Sequence, residues 1–124
     1  MNTRQRIGIA VVLVGIISTS VALLSNPLRR SDEGVREWLL ESVPVGSAED
    51  HLMAVADQKG WRVNSVWDGY RPHSDWGGID GARVAWIYLG GYRNLFRTDL
   101  DSFWAFDESG RLIDVKTRRM TDAL

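Results

Sequence analysis

The chain has no cysteine, and only three prolines and two histidines among its 124 residues. Without cysteine no disulfide can brace the fold, so stability must come from a hydrophobic core. The absence says little about compartment, because an exported domain with a real core folds without disulfides. No Gly-x-Ser-x-Gly elbow holds a nucleophile. Gly77-Gly78 and Gly90-Gly91 lack the spacing of a phosphate loop or a dinucleotide fingerprint. No internal repeat or low-complexity tract interrupts the chain. Excess basic charge is missing too. The formal charge is −1, and from Ser31 onward 11 basic residues face 16 acidic ones, a net of −5. That balance argues against nucleic acid, whose binders carry a basic patch. The local cluster Lys116, Arg118, Arg119 reads as a solvated strand edge, where charge discourages strand-to-strand association.

What is present divides the chain in two: a segment 1–30 and a domain 31–124. Residues 7–24, IGIAVVLVGIISTSVALL, form an uncharged and mostly apolar run. As a helix it would be about 27 Å long, close to the hydrocarbon thickness of about 30 Å. It reads as a single-pass transmembrane anchor. The competing reading is a cleaved signal peptide, with MNTRQR as its basic n-region and Ser20-Val21-Ala22 as a small-x-small site. The length of the run and its continuation through Leu23 and Leu24 favour the anchor. No cysteine follows it, so no lipoprotein processing site exists. Arg4 and Arg6 on one side nearly balance Arg29 and Arg30 on the other, so charge barely sets the orientation. A short N-terminal tail before a globular domain favours the domain outside the cytosol. The expected location is the inner membrane, or the periplasm after cleavage.

The domain 31–124 contains all six tryptophans, all three tyrosines and all three phenylalanines, enough for one core. Ser31 is placed to cap a helix over Asp32–Ser42, with Asp32 and Glu33 in its first turn. Val35, Trp38 and Leu39 form its apolar stripe, and Pro44 ends it. Ser47 is the expected cap of a second helix, with Asp50 at the capping-box position. Leu52, Val55 and Ala56 supply that helix's buried stripe, and Gly60 its left-handed terminus. A strand is expected from Trp61 to about Trp67. Residues 68–82, DGYRPHSDWGGIDGA, have loop composition. Residues 83–89 read as a central strand, apolar on both faces, with Gly90-Gly91 breaking it. Residues 100–106 and 111–118 form a closing hairpin around the turn 107–110. The class is α+β: two helices, then a three- to four-stranded antiparallel sheet.

The order ααβββ, the phrase VPVGSAEDHLMAVADQKGW and the hairpin FWAFDESGRLIDV together resemble the BamE/SmpA-like domain. This is the small fold of an outer-membrane-assembly lipoprotein family, similar in shape to β-lactamase-inhibitor-protein repeats. Gly46, Ser47, Val55, Phe106, Asp107, Gly110 and Leu112 match that pattern over residues 33–118. All of them serve folding. The sequence departs from the family by lacking the lipid-bearing cysteine and by its longer, Trp-containing loop. The resemblance implies a non-enzymatic interaction domain of the bacterial cell envelope, with an assembly role.

Chemistry is thinly signalled. His73, Asp75 and Asp80 lack a spacing that fixes metal geometry, and short polar side chains commonly close turns. His51 reads as a surface residue beside the second helix's stripe. No metal or cofactor is expected, and a hydrolase is the remote alternative. Trp76 is the unusual residue, set in HSDWGGIDG. It either covers one end of the sheet or anchors a partner, since tryptophan is enriched at interface hot spots. Tyr70, Arg71 and Trp76 are therefore the candidate partner-binding residues. The expected function is a membrane-tethered interaction domain with an envelope protein partner. The alternative is a small ligand-binding or sensing domain that uses the Trp76 loop.

Overall fold

The computed structural model describes residues 26–69 and 78–122. A single 3-10 turn, Pro27–Arg29, leads into helix α1, Asp32–Ser42, and helix α2, Glu49–Lys59. Four strands follow: β1 (Arg62–Asp68), β2 (Arg83–Arg93), β3 (Arg97–Phe106) and β4 (Leu112–Thr121). They form one antiparallel sheet in the order β1-β2-β3-β4. The fold is α+β, with two helices preceding four strands. Among the described residues no helix is long and apolar enough to cross a membrane. The apolar run 7–24 lies outside them.

The helices form where the sequence stops competing with them. Ser31 accepts a hydrogen bond from Gly34 N at 3.1 Å and so satisfies one of the orphan donors of α1. Val35 and Leu39 are fully buried, with Trp38 packed beside them. Ser47 does not cap α2; Ala48 occupies that position and offers no side-chain bond. The reason lies in the backbone. Leu112 N donates to Ser47 O and Gly46 N donates to Leu112 O, both at 2.8 Å, while Ala48 bridges Arg111. The segment before α2 is thus held extended against the start of β4, one residue past the expected cap. At the other end Gly60 is left-handed as expected, and Trp61 N closes onto Ala56 O at 2.9 Å.

The core lies between the helices and one face of the sheet. Leu39, Leu52, Val55 and Ala56 meet Ala85, Ile87, Leu100, Trp104, Phe106 and Val115. Trp61 links the two layers, with ring centroids 5.9 Å from Trp38 and 6.2 Å from Trp104. Trp104 is fully buried, so its indole N–H needs a partner. It donates to Ser102 Oγ at 2.8 Å, and Ser102 donates to Ile87 O at 2.8 Å.

Two expectations about the strands need correction. Gly90-Gly91 does not break β2, which runs on to Arg93. Between Tyr88 and Gly90 the register with β3 slips by one residue, and Gly90 takes φ +121 there. A Cβ on Gly91 would sit 2.7 Å from Thr98 O. The pair is therefore a bulge within a continuous strand, a role glycine fills without ending the ladder. The basic cluster of β4 is also not loosely solvated. Alternation along the strand splits it. Lys116 donates to Gly78 O at 3.0 Å and Arg118 pairs with Asp101 at 2.9 Å. Arg119 turns to the helix side, bonding Asp32, Tyr92 Oη and the carbonyls of Leu28 and Arg30.

Candidate functional site

The face of the sheet away from the helices has a composition of its own. At its lower end Trp67, Val84, Phe103 and Ala105 form a second apolar cluster, covered by Ile79. Trp86 packs on that cluster and stacks on Phe103, with centroids 6.0 Å apart and planes 13° off parallel. Above it the apolar character stops. Arg62, Tyr88, Asp101 and Arg118, one from each strand, stand in register across the whole sheet. Cross-strand neighbours of this kind interact directly.

Every charge in this region has a partner. Arg118 binds Asp101 and lies over the rings of Phe103 and Trp86, at 5.4 and 6.0 Å. The Arg62 guanidinium sits 4.8 Å over the Tyr88 ring, and its Nε donates to Asn64 Oδ1 at 3.0 Å. Tyr88 Oη donates to Asp99 Oδ1, while Arg97 donates to both, at 3.2 and 3.1 Å. These bonds stabilise charge where it stands. The Tyr88 hydroxyl, helped by Arg97, holds the Asp99 carboxyl below the usual range against partial desolvation. Hydrogen bonds to Tyr88 and Asp99 raise Arg97 in turn. Together these residues line a concavity of about 720 Å³. Trp86 Nε1 and Arg118 Nε are buried there and find no hydrogen-bond acceptor among the described residues.

A smaller hollow of about 390 Å³ lies between α1 and β4. Among its charged residues Arg36 pairs with Asp114 at 3.0 Å, and Asp32 pairs with Arg119, outside the hollow, at 2.7 Å. His51 is exposed and contacts Ser42 O at 3.0 Å. Among the described residues no group of three His, Asp or Glu is arranged to hold a metal ion.

Of the residues expected to bind a partner, Tyr70, Arg71 and Trp76 lie outside the described residues, as do His73 and Asp75. The flanks of their loop are described. Gly69 N bonds Ala82 O at 2.9 Å beside the end of β1. Gly78 is buried and receives Lys116 from β4, at the opposite edge of the sheet. The helix-free face itself was not anticipated. Its signal was in the sequence: Trp86 and Tyr88 alternate in RVAWIYL, as do Asp99, Asp101 and Phe103 in DLDSF. Comparison of the chain with protein-family models, curated proteins and solved structures returned no match.

Proposed function

We propose that this chain is a membrane-tethered, non-enzymatic interaction domain of a bacterial cell envelope. Residues 7–24 hold it in the inner membrane as a single-pass anchor, with the domain outside the cytosol. The helix-free face and the adjoining Tyr70–Trp76 loop meet an envelope protein. The observation that carries this reading is the row Arg62–Tyr88–Asp101–Arg118 and its pairing. Aromatic bodies and arginines occupy the centre of that face, the composition of interface centres. Arg97 and Arg118 are already paired with Asp99 and Asp101, so a partner surface can cover them without desolvating a lone ion, and Arg62 rests on the Tyr88 ring. Among the described residues, the groups whose pKa departs from the ordinary value are driven further into their charged forms: Asp99 and Asp107 down, Arg83 and Arg97 up. Acid–base catalysis needs the reverse, a group poised near the working pH. The helix–helix–sheet order agrees with the fold that the BamE/SmpA-like resemblance implies, and the assembly role is part of the proposal.

A small-ligand reading is favoured by one feature, the two unmet donors of Trp86 and Arg118 in the concavity. Site-specific photo-crosslinking in native membranes separates the two. Benzoylphenylalanine at Tyr88 and at Trp76 should each give a protein adduct, and at the exposed Glu37 of α1 it should give none. Absence of adducts at both test positions would overturn the interaction reading.

A further inference from the structure

The β2–β3 hairpin ends in the most exposed apolar side chains at that end of the molecule. Leu95 is 80% exposed and Phe96 36%. They are bracketed by exposed Arg93 and Arg97 in the sequence YRNLFR. Arg29 joins them from the N-terminal side. Arg29 donates to Asn94 Oδ1 and to Arg93 O, and its guanidinium lies 4.9 Å over the Tyr92 ring. Leu28 is buried against the bulge at Gly90. The segment leaving the apolar run is therefore docked on the base of this hairpin.

Chain length makes the consequence sharp. The apolar run ends at Leu24, and Asn26 is already in place, with its side chain accepting from Leu28 N at 3.0 Å. Two residues reach at most roughly 7 Å. A domain tied so closely must bring this hairpin to the bilayer surface. The charge there suits an anionic one. Three guanidiniums, Arg29, Arg93 and Arg97, stand against the carboxylates of Asp99 and Asp122, and Asp99 is held by Arg97 and Tyr88. An apolar tip ringed by arginine is the composition of a segment that lies in the lipid interface.

We propose that the β2–β3 hairpin tip is an interfacial membrane contact, in which Leu95 and Phe96 enter the headgroup region while Arg29, Arg93 and Arg97 bind anionic phospholipid. This rests on residues 7–24 being a membrane anchor. The contact fixes the domain upright, with the sheet directed away from the bilayer.

Because the chain has no cysteine, Leu95→Cys gives a unique labelling site in the full-length protein. It is spin-labelled and reconstituted in vesicles of phosphatidylcholine with phosphatidylglycerol. Accessibility to a water-soluble nickel reagent and to oxygen is compared with Glu108→Cys, on the turn at the far end of β3. The label at 95 should be several-fold less accessible to nickel and more accessible to oxygen than the label at 108. Arg93→Glu, whose side chain is exposed, should return the label at 95 toward water. A label at 95 as aqueous as that at 108, in chains that still float with vesicles after carbonate, overturns the contact and leaves the anchor standing. Spin–spin broadening between labels at 95 would assign the tip to a second copy and overturn it too. Chains that no longer float overturn the anchor itself, and that readout is separate.

Discussion

The Arg118–Asp101 pair offers the sharpest test of the helix-free face. Its two halves are unequally buried, with side-chain exposures of 20% for Arg118 and 3% for Asp101. Removing the guanidinium by Arg118→Met strands a carboxylate that has almost no route to water. Breaking a fully buried pair costs about 3–5 kcal/mol. Arg118 keeps a fifth of its side-chain surface in solvent, so the low end, about 3 kcal/mol, is expected. Asp101→Asn is milder. The arginine left behind remains over Phe103 at 5.4 Å and can turn its charge outward. The loss of one charged hydrogen bond then costs about 1.5–2 kcal/mol. The double variant should lie well short of the sum, because neither lone charge remains. In a domain of this size each kcal/mol moves Tm by about 4–8 °C. Thermal unfolding of the full chain in detergent, followed by near-UV circular dichroism, should show Arg118→Met melting about 12 °C or more below wild type. Asp101→Asn should fall clearly less. Equal losses from the two single variants, or full additivity in the double, would refute the asymmetry argument.

Three further outcomes are expected. Gly110 has φ +81 in the turn after β3, a conformation that β-branched residues disfavour, so Gly110→Val should destabilise the domain by about 1 kcal/mol or more in urea unfolding; unchanged stability would show that the turn tolerates a side chain. Trp76→Ala should weaken capture of a cross-linked envelope partner by about 2 kcal/mol, roughly 30-fold, and leave Tm nearly unchanged; a much lower Tm with capture intact would make Trp76 a cover for the sheet. Asp99 and Asp107 both titrate below the usual carboxylate range, chiefly through bonds from Tyr88 Oη and Arg111 N. Their contribution is complete above about pH 4 and disappears as pH falls through the lowered folded values. The double variant Asp99→Asn/Asp107→Asn should therefore lose stability less steeply on acidification than wild type, and identical slopes in unfolding measured across that range would contradict the assignment.

The helices and the closing turn were legible because local chemistry decides them. Ser31 bonds its own helix, Gly60 and Gly110 take the backbone conformations only glycine accepts readily, and the stripe Leu52, Val55, Ala56 is buried as its spacing demands. Ser47 failed as a cap because its backbone pairs with Leu112, 65 residues away in the chain. Gly90-Gly91 failed as a breaker because only the partner strand reveals a bulge. The candidate site was illegible for the same reason. Arg118 meets Asp101 and Tyr88 meets Arg62 only once the register is known, and a one-residue slip would turn each to the opposite face. The composition of β2 also misled. Trp86 and Tyr88 look like core in RVAWIYL, yet both stand half-buried on the helix-free side.

The geometry gives the domain two ends of different character. β3 runs ten residues from Arg97 to Phe106, about 33 Å at the usual rise per residue. The arginine-ringed hairpin and the docked N-terminal segment lie at its start. At its finish lie the 107–110 turn and, through the bond from Ala82 N to Phe106 O at 2.9 Å, the flank of the loop that carries Trp76. On the proposed anchor at residues 7–24, the described flank of that loop at Ala82 stands at the end away from the bilayer, and the paired row on the helix-free face lies between the two. A partner that reaches the loop from the aqueous side would cross that row before it met lipid. This favours a soluble or peripheral envelope partner over one embedded beside the anchor. The charges divide in the same sense: Arg29 and Arg93 gather at the hairpin end, while Arg97, Arg118 and Arg62 along the face are matched to Asp99, Asp101 and the Tyr88 ring, which a protein surface can cover.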